Sequence, residues 1–453
     1  MINYALIGAT AAFLVAVFLF VFYKTRDSFH PLLITAPMFA TLYVYLPASG
    51  LSSGRMFSYL SPEQMAYTQL LFLCGVIAFS MGCLHGSLKK RARQHPFQLP
   101  DSSRQRLMIG ASVLGFLALG AWLITVSNGG GFGEVYSRAY GTGDAESGYV
   151  RDGAYLSIPA IVLLLTARLG MRLRLRDVFL ALTFSAPMVV HGLLGARRAP
   201  IFMAAVALGF GWYMMRHQRP RLVTMLVGGS AVGLLMLVLV SNRENIHLGS
   251  DFTLKNDPTK YLNLSTGNEF VYGSAAVIHA DKDDSFYWGK RYFTVVFIRP
   301  IPSQLWPDKY EAVGMGKLKR NLGIDIRGLR SSVGWEGAVG AAPGLIADLY
   351  IEVSWFCLIA LYAIGWAYGK VWWLATAKGG FSILLYVLMV ALSLYLVMQT
   401  FQAMLFRILW MAIPSRLIWS WALAQRAVLT DQSRSQVRPA SRHFVRVRDS
   451  SAE

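Results

Sequence analysis

The sequence predicts an all-α polytopic integral membrane protein with about 11 transmembrane helices and one large periplasmic loop. Three observations carry this. First, 55% of the 453 residues are hydrophobic and only 15% are charged, whereas soluble chains hold about 45–50% apolar and about 25% charged residues. Second, apolar runs of the length that crosses a bilayer, roughly 20 residues, recur along most of the chain. Third, the Lys and Arg residues between those runs segregate to alternate connections, as cytoplasmic loops require. A soluble multidomain enzyme is excluded, and an aromatic content of 13% excludes disorder.

In chain order the runs fall near 4–22, 32–48, 63–84, 107–127, 153–168, 178–194, 201–215, 222–241, 345–368, 381–398 and 405–423. No basic stretch precedes the first, and Lys24 and Arg26 follow it. It therefore reads as a span with its N-terminus outside rather than as a cleaved leader. With that orientation the inside connections hold Lys24, Arg26, Lys89, Lys90, Arg91, Arg93, Arg104, Arg106, Arg168, Arg172, Arg174, Arg176, Arg216, Arg219, Arg221, Lys370 and Lys378. The tail adds Arg426, Arg434, Arg438, Arg442, Arg446 and Arg448, making 23. The short outside connections hold six: Arg55, Arg138, Arg151, Arg197, Arg198 and Arg407. The net charge of +19 is thus explained by topology, and no nucleic-acid partner is expected.

Four regions follow. Residues 1–241 form an N-terminal bundle of about eight spans, and 242–345 a large periplasmic loop expected to cap an active site. Residues 346–423 form a C-terminal bundle of about three spans, and 424–453 a flexible basic cytoplasmic tail. The long loop balances thirteen Lys and Arg against eleven carboxylates, and loops beyond about 60 residues lie outside the charge rule. Its apolar run Phe293–Ile298 argues for order. Cys74, Cys83 and Cys357 all lie in apolar runs and read as small buried hydrophobes. No repeat and no pair of broken spans is visible.

No soluble-enzyme motif is present. The run Asn128-Gly129-Gly130-Gly131-Phe132-Gly133 follows an apolar span rather than a strand, so it reads as a turn and not a phosphate cradle. Candidates for chemistry gather on the outer face. Arg197 and Arg198 sit at a mouth between two spans with almost no loop around them. They are either interfacial anchors or a fork-shaped grip for a phosphate or diphosphate. Arg291, Arg299, Arg320, Arg327 and Arg330 cluster in the second half of the long loop, around a Pro-rich segment containing Trp306 that suits the membrane interface. Glu336 lies in a small-residue stretch that lets backbone approach a ligand closely. Asp348 and Glu352, four apart, share one helix face at the start of the ninth span. Charge at that depth is either ion-paired, with Arg407 and Arg416 as the expected partners, or used on substrate. His191 and His279 lack companions at ligand spacing, so neither a metal nor a cofactor is called for.

Three local features resemble the O-antigen polymerase family, the bacterial oligosaccharide repeat-unit polymerases. They are Gly195-Ala196-Arg197-Arg198 at a helix mouth, Pro302-Ser303-Gln304-Leu305-Trp306-Pro307-Asp308-Lys309 in the large loop, and Ala347-Asp348-Leu349-Tyr350-Ile351-Glu352 after a Gly-rich run. The third departs from the family's helix, with Asp for Glu and Glu for Asn. The resemblance implies a metal-independent glycosyltransferase of the inner membrane, N-terminus periplasmic and C-terminus cytoplasmic, serving O-antigen, lipopolysaccharide or exopolysaccharide biosynthesis. Its substrate would be an undecaprenyl-diphosphate-linked oligosaccharide, among membrane lipids and with a flippase and chain-length regulator of the same pathway as partners. Arg198, Arg299, Arg330 and Glu336 are then expected to be catalytic. Arg197, Arg291, Arg327, Trp306, Asp348 and Glu352 are expected to bind substrate. Two other readings stand beside it: an O-antigen ligase-type glycan transferase, and a non-enzymatic transporter of a lipid-linked sugar.

Overall fold

In lipid a backbone N–H or C=O has no water to bond, so an apolar run must satisfy its own backbone, and the helix does this. The computed structural model describes residues 1–88, 99–137, 148–195, 197–216, 218–242, 245–249, 268–315 and 342–436; for 148, 149, 215, 240 and 425–436 it describes backbone alone. Among the described residues every regular element is helical. The N-terminal elements are α1 (Ile2–Thr25), α2 (Pro31–Ala40), α3 (Leu46–Ser52), α4 (Pro62–Ser87) and α5 (Asp101–Asn128). There follow α6 (Phe132–Val135), α7 (Gly148–Gly153), α8 (Ser157–Ala167), α9 (Leu175–Leu193), α10 (Arg198–Met215) and α11 (Leu222–Ser241). The long segment adds α12 (Glu269–Lys282), α13 (Lys290–Phe293), which runs into a π-turn at Thr294–Ile298, and α14 (Lys309–Ala312). The last are α15 (Gly344–Val353), α16 (Cys357–Ala377), α17 (Phe381–Ala391), α18 (Ser393–Met398) and α19 (Phe401–Gln436).

Nine stretches among the described residues are long and apolar enough to cross a membrane. The other two expected runs are helical as well, α9 and α10, but each opens on charge: Arg176 and Asp177 in one, Arg198 in the other. The two helices pack on each other as consecutive neighbours. Counting or omitting both leaves the direction of everything after them unchanged.

Contacts fix which ends lie together. Asn3 bonds the Pro62 carbonyl, and Tyr155 meets Tyr395, at what we call the Pro62 end. Asp27 meets Arg219, and Arg104 bonds the carbonyls of Ala167 and Leu169, at the Thr25 end. Successive runs therefore alternate in direction. Large apolar residues such as Leu19, Phe116, Val227 and Ile359 face outward along these helices, as a lipid solvent allows.

The tightest pairing is α4 with α16. Gly82 and Gly86 on one helix, Gly365 and Gly369 on the other, are each four apart, so each pair presents one small-residue face. A Cβ placed on Gly365 would lie 2.0 Å from the Phe79 carbonyl oxygen, and one on Gly82 2.0 Å from that of Tyr362. The match of Phe79 with Gly365 and Cys83 with Gly369 makes the helices parallel. Overpacking typically costs about 1–3 kcal/mol, and here backbone is in the way. Gly365→Leu is expected to lower the melting temperature of detergent-purified protein sharply. Gly120→Leu, at a helical site with open space, should leave it unchanged.

Two breaks interrupt the C-terminal part. The apolar run expected from 345 to 368 is not one helix. Ser354, at φ +52°, takes a left-handed conformation that a residue with a Cβ adopts only under constraint. The run thereby divides into α15 and α16. α16 alone, with 21 residues, is roughly 31 Å long and could span by itself. α15 packs inside the bundle, with Ile346 against Gly75 and Tyr350 Oη 2.8 Å from Tyr67 Oη. A second break, at Gln399 and Thr400, separates α18 from α19. The long segment likewise reaches the interior: Phe270, Val271, Ala275 and Val277 of α12 belong to the main core.

Candidate functional site

Two charged clusters lie toward the Pro62 end. The first is enclosed. Arg291 is wholly buried between Asp348 and Glu352, its Nη2 2.5 Å from Asp348 Oδ1 and its Nη1 3.4 Å from Glu352 Oε2. Nη2 also donates to Gln402 Oε1 at 3.2 Å, and the Arg291 backbone N–H donates to Glu352 Oε1 at 3.1 Å. Asp348 Oδ2 accepts from Tyr292 Oη at 3.0 Å and from the Phe401 N–H at 2.9 Å. A carboxylate thus sits at the open N–H groups of α19, where the helix dipole favours it. Asp348 and Glu352 do share one face, as their spacing predicts, but their partner is Arg291 rather than Arg407 or Arg416. Arg416 instead covers the Phe381 ring. The cluster ties α13, α15 and α19 together.

The second cluster is more open. Arg197 is the residue before α10, and Arg198 is its first residue. Cations at a helix N-terminus work against the dipole, so the pair breaks a local rule where the N–H groups already attract anions. Arg198 Nη2 is 2.7 Å from Glu269 Oε1, at the start of α12. Arg299 Nη2 is 2.6 Å from Asp152 Oδ2, and its guanidinium lies 3.9 Å from the Phe406 ring centroid. Lys309 is buried and donates to the carbonyls of Arg299 (3.1 Å) and Ile301, closing the Pro-rich turn behind Arg299.

Arg407 lies between two phenols. Its guanidinium is 4.1 Å from the Tyr395 ring and 4.9 Å from the Tyr155 ring, and the two hydroxyl oxygens are 3.1 Å apart. Its Nη1 donates to the Ala403 carbonyl, and no carboxylate among the described residues reaches ion-pair distance. Arg299 bonds Asp152, three residues before Tyr155, and stacks on Phe406, the residue before Arg407, whose Nη2 is 3.4 Å from Tyr155 Oη, so these groups form one site. Arg151, beside Asp152 in α7, belongs to the same end. Five arginines here accompany two carboxylates among the described residues.

Trp288, Phe293, Phe297 and Leu305 are exposed along the segment leading to and past Arg299. Phe293 and Phe297 pair with ring centroids 5.0 Å apart. This apolar face beside cationic groups suits the headgroup boundary. Trp306 is half-buried, and its backbone N–H donates to the Pro302 carbonyl. Arg320, Arg327, Arg330 and Glu336 lie outside the described residues.

Of the expected residues, Arg197, Arg198 and Arg299 lie at the same end of the bundle, in two ion pairs with Glu269 and Asp152, and Arg291, Asp348 and Glu352 form an interior knot. Sequence reasoning missed Asp152, Glu269, Tyr155 and Tyr395. Glu269 had a signal, a lone carboxylate opening an apolar run, and so did Arg151-Asp152 before the fifth span. His279 pairs with Asp283 at 3.1 Å. Among the described residues no group of three His, Cys, Asp or Glu residues could hold a metal ion. An open groove between α5 and α9 is lined by Met108, Ile109, Val113, Phe116 and Leu180, with Arg176 at the Thr25 end; it is apolar and away from both clusters. Compared with protein-family models, curated proteins and solved structures, the chain matches none.

Proposed function

We propose that this chain is a polytopic inner-membrane glycosyltransferase that polymerises undecaprenyl-diphosphate-linked repeat units at its periplasmic face. The observation that carries the reading is the gathering of Arg197, Arg198, Arg299 and Arg407 at one end of the bundle, beside an exposed apolar face. When the glycosidic bond breaks, negative charge develops on the departing lipid diphosphate. Preorganised guanidinium groups stabilise it in place of water, and the apolar face suits the lipid tail. Deleting the gene should leave single repeat units on the lipid carrier, at the periplasmic side of the membrane. Complementation with the wild-type chain should restore long glycan on a gel.

This reading places the Pro62 end outside, because 23 Lys and Arg lie in the opposite connections and tail. Cysteines introduced at Ser53 and Ser303, both exposed, should react with an impermeant maleimide in intact cells, and one at Lys378 only after lysis. Labelling of Lys378→Cys in intact cells would invert the topology and remove the reading.

A ligase would use the same groups with another acceptor. The transporter reading draws on a specific observation, the helix breaks at Ser354 and Gln399 beside buried Asp348, Glu352 and Arg291. Against it, those three side chains are bonded to one another. The assay separates the two: loss of a transporter strands lipid-linked glycan on the cytoplasmic side.

A further inference from the structure

Glycosyl transfer to a sugar hydroxyl needs a group that takes the hydroxyl proton. The two carboxylates of the open cluster are engaged: Asp152 with Arg299 at 2.6 Å and Glu269 with Arg198 at 2.7 Å. In each the ion pair already occupies the carboxylate oxygen nearest the cluster. Tyr155 is differently placed. It is half-buried, and Arg407 Nη2 donates to its Oη at 3.4 Å while Tyr395 Oη lies 3.1 Å away. The charged and titratable groups acting on it are Arg407 from α19, Tyr395 from α18 and Asp152 from α7.

Resting on the polymerase reading, we propose that Tyr155 is the proton acceptor of the reaction, working as a phenolate held by Arg407. The acceptor sugar's oxygen forms its bond to the anomeric carbon and gives its proton to Tyr155 Oη. The bond between that carbon and the phosphate oxygen breaks, and its electron pair leaves with the diphosphate. The phenol then returns its proton to solvent before the next cycle. No further co-reactant is needed. Arg407 serves both charges in turn, the phenolate before transfer and the cluster's diphosphate after it.

The test uses the full-length protein in liposomes, with lipid-linked glycan extracted from a strain lacking this gene as substrate. Tyr155→Phe should lose activity by about 10²–10⁴, the contribution of a general base. Tyr368→Phe, which removes a buried hydroxyl bonded to the Met389 carbonyl elsewhere in the bundle, should not. Placing 2,3-difluorotyrosine at 155 keeps the side-chain shape and makes the phenol more acidic. It should retain activity and move the acid limb of the pH–rate profile to lower pH. An unmoved limb, or full activity in Tyr155→Phe, overturns the assignment and leaves Glu336 as the group to examine. If Arg198→Ala and Arg299→Ala are also fully active, the polymerase reading fails with it; if they are inactive, only the base assignment fails.

Discussion

Arg291→Met is expected to cost the protein about 3–5 kcal/mol, because it strands two buried carboxylates. Arg291, Asp348 and Glu352 are all without solvent exposure, and removing one partner of such a group leaves uncompensated charge in a low dielectric. The damage should extend to α19, whose first N–H groups depend on Asp348 staying in place. Stability in mixed micelles, read as the SDS concentration at half-unfolding, should fall accordingly. Glu352→Gln in the Arg291→Met background removes one stranded charge and should recover part of the loss. An Arg291→Met protein as stable as wild type would mean that the knot does not hold α13, α15 and α19 together.

The second large effect concerns Arg198 and Arg299. Losing one donor to developing negative charge costs about 2.7–4 kcal/mol, or roughly 10²–10³ in rate. Arg→Lys keeps the charge but loses the planar two-point contact, so it should already impair transfer. Alanine also leaves Asp152 or Glu269 with a lost partner, and each is nearly buried. A double change separates the causes. Arg299→Gln with Asp152→Asn removes both charges, so it should return stability toward wild type while activity stays low. If activity returns with stability, Arg299 is an anchor for α7 and nothing more.

The helices and their alternation were legible because hydrophobic length and Lys/Arg placement are local signals. The arginines at the mouth of α10 were legible for the same reason: Arg197 and Arg198 stand where short connections otherwise hold few cations. The partner of Asp348 and Glu352 was not. Periodicity put both on one face, but Arg291 lies 57 residues before Asp348, and only the packing of α13 against α15 selects it over Arg407. The break at Ser354 was equally hidden, since Ile351-Glu352-Val353-Ser354-Trp355 holds neither glycine nor proline. The glycine pairs of α4 and α16 stood in plain view, yet their meaning depends on which two helices meet. Tyr155 and Tyr395 gave no signal at all, because a tyrosine in an apolar run is usually core or interface.

In the proposed function the arginine cluster at the Pro62 end acts on a lipid-linked glycan. The most direct test is the glycan ladder of a deletion strain carrying Arg198→Ala or Arg299→Ala, beside an immunoblot of membrane protein. Arg55→Ala, at the exposed turn between α3 and α4, is the surface control. The account predicts a full ladder from wild type and Arg55→Ala, and collapse to single repeats from both cluster variants at matched protein level. Full ladders from Arg198→Ala and Arg299→Ala alike would contradict it.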